Sequence, residues 1–285
     1  MLVKNLIDVT ELQEVSETLL MTVYLRNLET KRKDGIIKDD KSIEIVDSIN
    51  YDFSKFDSPL NQAIIAIRTK IFDEVVTNFI IQNPHATVVS LGTGLSTRFF
   101  RVDNGSIDWF GIDLPRVKPV WDILIGESLC SESNLEDRKL CRSERFQYLA
   151  YSILDFNWID KIKETTSDNI FFIAEGLLMY LSELEVKRLI VALKNNFPGS
   201  GIIFDSIGTI LAKNSNLNPG ISQTNAFFQW GIDDLKDIET WDENIQLVNE
   251  WYYSERYKNR LGLLALLMYI PLLRQQAKIG LLQFV

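Results

Sequence analysis

Four carboxylates, Asp113, Asp155, Glu175 and Asp205, each close an apolar run of this sequence, the runs being Ile107–Ile112, Phe146–Leu154, Ile170–Ala174 and Gly201–Phe204. A fifth run, Val88–Leu91, stops instead at Gly92-Thr93-Gly94. A strand that stops at Gly-x-Gly lets the backbone come close to a ligand, because no Cβ blocks the approach. Asp113 follows Gly94 by 19 residues, close to the ~20-residue offset at which a second-strand acid takes a ribose hydroxyl pair in nucleotide-binding α/β folds. Any one of these acids alone is most simply a cap or a surface residue. Four at the ends of strands, where open α/β sheets bind their ligands, would offer acceptors to a ribose, an adenine and an ammonium group.

That inventory fits S-adenosylmethionine better than a dinucleotide. S-adenosylmethionine has no pyrophosphate and needs no third glycine, and Leu95 and Ser96 stand where a dinucleotide fingerprint would continue. No Lys-Ser or Lys-Thr follows the glycines, which excludes a P-loop. Arg68 falls among Ile64, Ile67, Ile71 and Phe72 on a helical pattern. An arginine there is expensive unless its head snorkels to water or meets an anion, and the residues alone leave both readings open.

The elements that must position these groups alternate between strand and helix, which predicts a mostly parallel α/β sheet. Ser58-Pro59 is an N-cap and first-turn pair for a long helix running to Phe79, and Ser182-Glu183-Leu184-Glu185 is a capping box for another. Thr10-Glu11-Leu12-Gln13 offers a further capping box before an N-terminal helix that ends near Glu29–Gly35. The run Lys38-Asp39-Asp40-Lys41 reads as a solvated loop or helix start. In the tail, Ile245–Tyr253 reads as a strand, Glu255–Lys278 as a helix broken at Pro271, and Ile279–Val285 as a closing strand. One domain is expected over 1–285, with an N-terminal helical cap (1–57), a cofactor-binding core (58–205) and a substrate-side insertion with closing strands (206–285).

The totals exclude other chemistries. A net charge of −9 argues against nucleic acid as a partner. Two cysteines, Cys130 and Cys141, and one histidine, His85, are too few for a disulfide framework, a zinc cage or a His-rich metal site. His85 stands in a Pro84-His85 turn before the first strand, at the end of the sheet away from the ligand crevice. Acids interrupt the N-terminal segment, which is not a signal peptide. The longest apolar stretch, Leu261–Leu273, is 13 residues and contains Pro271, against ~20 needed to span a bilayer. A cytoplasmic protein with no metal and no membrane partner is expected.

Leu91-Gly92-Thr93-Gly94-Leu95-Ser96-Thr97-Arg98-Phe99-Phe100-Arg101, then Gly111-Ile112-Asp113-Leu114-Pro115, then Ala174-Glu175-Gly176-Leu177-Leu178-Met179-Tyr180-Leu181, resemble the leucine carboxyl methyltransferase family. The resemblance runs from about Glu17 to Tyr253. It implies an S-adenosylmethionine-dependent O-methyltransferase with the class I, Rossmann-like sheet and helices on both faces. Arg26-Asn27-Leu28-Glu29-Thr30, Ile67-Arg68-Thr69 with Phe72-Asp73, and Phe228-Gln229-Trp230-Gly231 look like the branch that methylates polyketide-type small molecules. By this resemblance Arg68 would grip the methionine carboxylate, and Gly92 and Gly94 would admit the cofactor to the backbone. Asp113 would take the ribose hydroxyls, Asp155 with Phe156 the adenine, and Glu175 the ammonium, with Tyr180 beside the methyl-transfer region. Ser96 stands where the family usually has Asp, and Phe156 where it usually has Leu.

The sulfonium already activates the methyl group, so the protein must chiefly align an oxygen nucleophile with it. A carboxylate acceptor is ionised at neutral pH and needs no base, which makes it the simpler expectation; a hydroxyl would need Glu, Asp, Tyr or Lys. The acceptor pocket is expected between the N-terminal helices and the Asn214–Trp241 segment. There Phe227, Phe228 and Trp230 would either stack on an aromatic small molecule or belong to the core. Methylation of a protein C-terminal carboxylate, and cofactor binding without catalysis, are the alternatives.

Overall fold

Thr87–Leu91 (β1) is buried along its whole length and is an interior strand of a seven-stranded sheet in the computed structural model, which describes residues 7–8, 17–126, 129, 142–164, 167–214, 227–262 and 270–285. The other strands are Asp108–Asp113 (β2), Phe146–Ala150 (β3), Ile170–Ala174 (β4), Gly201–Ile207 (β5), Ile245–Tyr252 (β6) and Ala277–Phe284 (β7). Their order is β3-β2-β1-β4-β5-β7-β6, with β7 antiparallel to both neighbours and the rest parallel. The strand order therefore reverses between β1 and β4, and a ligand crevice opens at the carboxyl ends beside such a switch point.

The register aligns the chemistry. Leu91 pairs with Ile112, Ser90 with Ile173, and Ala174 with Phe204. Gly92, Asp113, Glu175 and Asp205 therefore reach the carboxyl edge at one level, each one residue beyond a paired position. Asp155 does not join them. The run expected to continue to Leu154 leaves the sheet after Ala150 and turns, with Asp155 N donating to Ser152 O at 2.9 Å. Ile153 and Leu154 are apolar because they pack in the core beside Trp158, whose indole N–H donates to Ile153 O at 3.2 Å.

Helices cover both faces. Val88 faces a core with Ile67, Ile71 and Phe72 of the long helix Pro59–Gln82 (α3), onto which Glu17–Thr30 (α1) and Asp40–Ser48 (α2) pack as the cap. Val89 and Leu91 face a second core with Trp158 of Trp158–Lys163 (α5) and with Leu189 and Ile190 of Glu183–Asn196 (α6). Both expected caps form: Ser58 Oγ accepts from Asn61 N at 3.2 Å, and Ser182 and Glu185 bond reciprocally. The Thr10–Gln13 capping box, Cys130 and Cys141 lie outside the described residues. The described part of Glu255–Lys278 holds only the one-turn helices Lys258–Leu261 and Pro271–Arg274, and β7 starts at Ala277, two residues before the expected Ile279. Among the described residues no helix is long and apolar enough to cross a membrane.

A row of buried ion pairs ties the cap to the sheet. Arg26 Nε on α1 donates to Asp39 Oδ2 at 2.8 Å, and Arg101 Nη1 lies 2.9 Å from the same oxygen. Arg101 and Arg98, both on Arg98–Val102 (α4), share Asp73 of α3 at 2.6 and 2.7 Å. Arg98 Nη2 then reaches Glu175 Oε2 at 2.6 Å, and Arg68 joins Glu175 Oε1 at 2.8 Å to Asp205 Oδ2 at 3.1 Å. Asp39 departs from the solvated reading: it is the N-cap of α2, accepting from Ser42 N at 3.2 Å, but it is wholly buried. Buried charges of this kind are tolerated only when each meets its opposite. Burial pushes the Glu175 carboxyl up, but Arg98 and Arg68 outweigh it and hold the group well below the usual range. Asp39 is likewise pushed up by burial and brought below its ordinary value by Arg101 and Arg26.

Two outcomes are expected. Ser182→Ala should cost about 1 kcal/mol, read as a lower denaturant midpoint at unchanged m. The depressed carboxyls stabilise the fold fully above their ordinary values of 4.5 for Glu175 and 3.8 for Asp39, and that contribution is lost as pH falls through their folded values. Glu175→Gln, which leaves two buried guanidiniums short of an anion, should cost about 3–5 kcal/mol at neutral pH. In melting curves taken from pH 7 down to 2 it should also flatten the acid limb; an unchanged slope would remove Glu175 from the acid-sensitive set.

Candidate cofactor and acceptor site

A cavity of about 500 Å³ opens at the carboxyl ends of β1, β4 and β5, with α1 and α3 above it. Its lining is of two kinds. One is ionic and backbone-rich, formed by Gly92, Ser96, Arg26, Arg68, Arg98, Glu175 and Asp205. The other is apolar, formed by Met179, Tyr180, Ile207, Leu211, Phe228 and Leu273. Gly92 and Gly176 both have φ above +60°, a conformation that glycine adopts without penalty. A Cβ on Gly176 would stand 3.3 Å from Arg68 Nη1, so the missing side chain lets the guanidinium lie against the backbone. Gly176 N also donates to Asp205 Oδ1 at 2.6 Å.

Arg68, Gly92, Glu175 and Tyr180 all line this cavity. Arg68 does meet anions, as the more chemical of its two readings required. Gly94 and Asp113 pair with each other beside the cavity: Asp113 Oδ2 accepts from Gly94 N, and Oδ1 from Leu114 N, both at 2.7 Å. Burial raises the Asp113 carboxyl, opposed by those two N–H groups. Leu19 of α1 packs over Gly94, where a Cβ would come 2.6 Å from its Cδ2. Asp155 is exposed on its turn and accepts from Asn157 Nδ2 at 2.7 Å, while Phe156 is half-buried against the second core. The structure thus gathers four of the eight predicted residues around one cavity, sets Gly94 and Asp113 next to it, and leaves Asp155 and Phe156 apart.

Several groups in the cavity were not singled out by sequence reasoning. Arg98 is only 1% exposed and neutralises Glu175 from the side opposite Arg68. Its signal was available, since Arg98 and Arg101 sit among Phe99, Phe100 and Val102 as Arg68 sits among isoleucines. Tyr253 lines the cavity, and burial pushes its hydroxyl well above the ordinary value. Burial likewise pushes Tyr180 up to about 12, with Arg68 opposing. Both hydroxyls therefore stay protonated at neutral pH.

The apolar lining is stitched together by backbone bonds. Gln229 N donates to Met179 O at 2.8 Å, and the Gln229 amide donates to Tyr180 O at 2.6 Å. This brings the Phe228 ring to 5.6 Å from that of Tyr180. Of the three aromatic residues for which both readings stood open, Phe228 lines the cavity, Trp230 belongs to the second core and Phe227 is exposed. His85 is exposed in the turn before β1, away from the cavity. Among the described residues no group of three or more His, Cys, Asp or Glu side chains could hold a metal ion.

The model of the leucine carboxyl methyltransferase family matches residues 19–194, more than half of the chain. The tetracenomycin polyketide synthesis O-methyltransferase TcmP of Streptomyces glaucescens is 24% identical over 246 residues, covering 86% of this chain and 85% of that one. Two solved structures have the same fold at low identity. A DUF574 family protein from Streptomyces avermitilis MA-4680 superposes with a TM-score of 0.60 at 12% identity, over 95% of this chain and 98% of that one. Magnesium protoporphyrin IX methyltransferase (ChlM) from Synechocystis PCC 6803, solved with bound SAH, gives 0.50 at 14%, over 86% and 94%. With the glycine turn, the strand-end acids and the Arg68–Glu175 pair in place on this sheet, the chain belongs to the leucine carboxyl methyltransferase family and is an S-adenosylmethionine-dependent methyltransferase of the class I, Rossmann-like fold.

Proposed function

We propose that the protein methylates an oxygen of a small, largely apolar acceptor of the polyketide type. The observation that carries this reading is the mixed lining of one cavity, which brings ionic side chains together with aromatic and aliphatic ones. The ionic lining suits the amino-acid end of S-adenosylmethionine, because both charges of a zwitterion find opposite charges there. When bound, the cofactor supplies a methyl group already activated by its sulfonium.

The chain's own task is to hold and align. Arg68 and the carboxylates paired with it orient the amino-acid end, Gly92 lets it approach the backbone, and Asp113 receives the ribose. Tyr180 and Phe228 form the wall against which a flat acceptor stacks. Protonated Tyr180 and Tyr253 donate to the acceptor oxygen and do not deprotonate it. The nucleophile is accordingly an oxygen that ionises by itself, a carboxylate or an acidic phenol. The apolar and aromatic part of the lining, with Met179, Ile207, Leu211 and Phe228, favours a small apolar molecule over a charged protein tail.

Calorimetry with S-adenosylhomocysteine tests the cofactor half. The intact protein should bind at micromolar concentration, and Asp113→Ala and Arg68→Ala should each weaken binding roughly 10- to 100-fold, the range for a lost charge-assisted hydrogen bond. No binding by the intact protein would sink the reading. Transfer of labelled methyl into a panel of aromatic carboxylates and phenols tests the acceptor half. Phe228→Ala should lower kcat/KM about tenfold while leaving S-adenosylhomocysteine affinity intact, the size of one lost ring contact. A drop in both would show a structural role for Phe228.

A further inference from the structure

The ion pairs form a chain with two ends. In order they run Arg26, Asp39, Arg101, Asp73, Arg98, Glu175, Arg68, Asp205, so charges alternate and each interior group has an opposite charge on either side. Arg26 and Asp205 are the ends, each with one partner of opposite charge in the chain. Both ends open into the same cavity. Glu175, the family's expected ammonium acceptor, is interior: each of its oxygens already accepts from a guanidinium. A third cation there would exceed its charge.

Asp205 is different. Oδ2 accepts from Arg68 Nη1 at 3.1 Å, the longest link of the chain, and Oδ1 accepts from the uncharged Gly176 N–H. Tyr253 lies close enough to feel its charge and supplies no cation. The electrostatics agree with the geometry. Burial lifts the Asp205 carboxyl, and Arg68 alone does not bring it back, in contrast to Glu175 and Asp39 with two arginines each. At the opposite end, burial lowers Arg26, which Asp39 alone does not offset.

Resting on the cofactor reading above, we propose that Asp205 is the residue that receives the ammonium group of the bound cofactor, while Glu175 serves as the fixed counter-ion that orients Arg68 and Arg98. A ligand ammonium gives Asp205 its second cation, and the ligand carboxylate meets the cationic side of the same wall. The chain is thereby extended by one zwitterion with no change in net charge.

The test compares three probes by calorimetry. These are S-adenosylhomocysteine, its deamino analogue that keeps the carboxylate, and methylthioadenosine, which lacks both charged groups. The intact protein should lose about 10- to 100-fold in affinity when the amine is removed. Asp205→Asn should bind S-adenosylhomocysteine as weakly as the intact protein binds the deamino analogue, with methylthioadenosine affinity unchanged. Asp205→Ser serves in place of the asparagine variant should the latter not fold, and retained methylthioadenosine binding certifies either. Full S-adenosylhomocysteine affinity in a folded variant would overturn the inference and return the ammonium to Glu175. Equal losses for all three probes would reduce Asp205 to a structural role and overturn it too. If the intact protein binds none of the probes, the cofactor reading fails first and this inference with it.

Discussion

The pairing of buried charges is the constraint on which the rest of this molecule depends. Four arginines and four carboxylates lie beneath or within the cap, drawn from α1, α3, α4, the α2 N-cap and the ends of β4 and β5. Isolated, any one of them would cost several kcal/mol to bury. Alternation removes that cost only if every supporting element is in place at once. The cap therefore cannot drift relative to the sheet without separating pairs, and Arg260 adds a further tie from the tail to Glu29 on α1. Ion pairs of this kind contribute little net stability compared with apolar packing. What they contribute here is position.

Position matters because the sheet register has already done half of the alignment. Parallel pairing brings Gly92, Asp113, Glu175 and Asp205 to one level along the carboxyl edge. The ionic chain then fixes how the side chains point. Glu175 is held between Arg68 and Arg98, and Asp205 is oriented by Gly176 N–H and Arg68 together. Glycine at 176 is part of this arrangement, since its backbone offers an N–H to one acid and an open face to the arginine that pairs with it.

The division between what could be read in the sequence and what could not follows the range of the interactions. Asp113, Glu175 and Asp205 were legible because each follows an apolar strand, and strand ends are a local pattern. Arg68 was legible as a misfit on an apolar helix face. Asp39 and Asp73 were not, because an acid on a loop or a helix looks like any surface acid until its partners arrive from elsewhere in the chain. The Arg68–Glu175 pair spans 107 residues and Arg68–Asp205 spans 137, separations that leave no trace in composition or periodicity. Asp155 was placed at a strand end because periodicity does not distinguish a continuing strand from an apolar turn that packs into the core. Of the tail helix expected over Glu255–Lys278, the described residues form Lys258–Leu261, which Gly262 at φ +56° follows, and Pro271–Arg274, while 263–269 lie outside them and Ala277 and Lys278 belong to β7.

The ionic lining also bears on how an acceptor is chosen. On the proposed reading the cofactor's amino-acid end occupies the ionic side chains, so charge on the acceptor gains little from the described wall. The proposed reading leaves selection to the apolar lining, where Met179, Tyr180 and Phe228 define a surface held by the Gln229 backbone and side-chain bonds. Apolar walls discriminate by shape, at about 1–3 kcal/mol per misplaced methylene-sized group. On that reading, variation on the Tyr180–Phe228 side changes the acceptor and leaves the cofactor site as it is. The ionic side chains tolerate no such variation, because each of them is another's counter-ion.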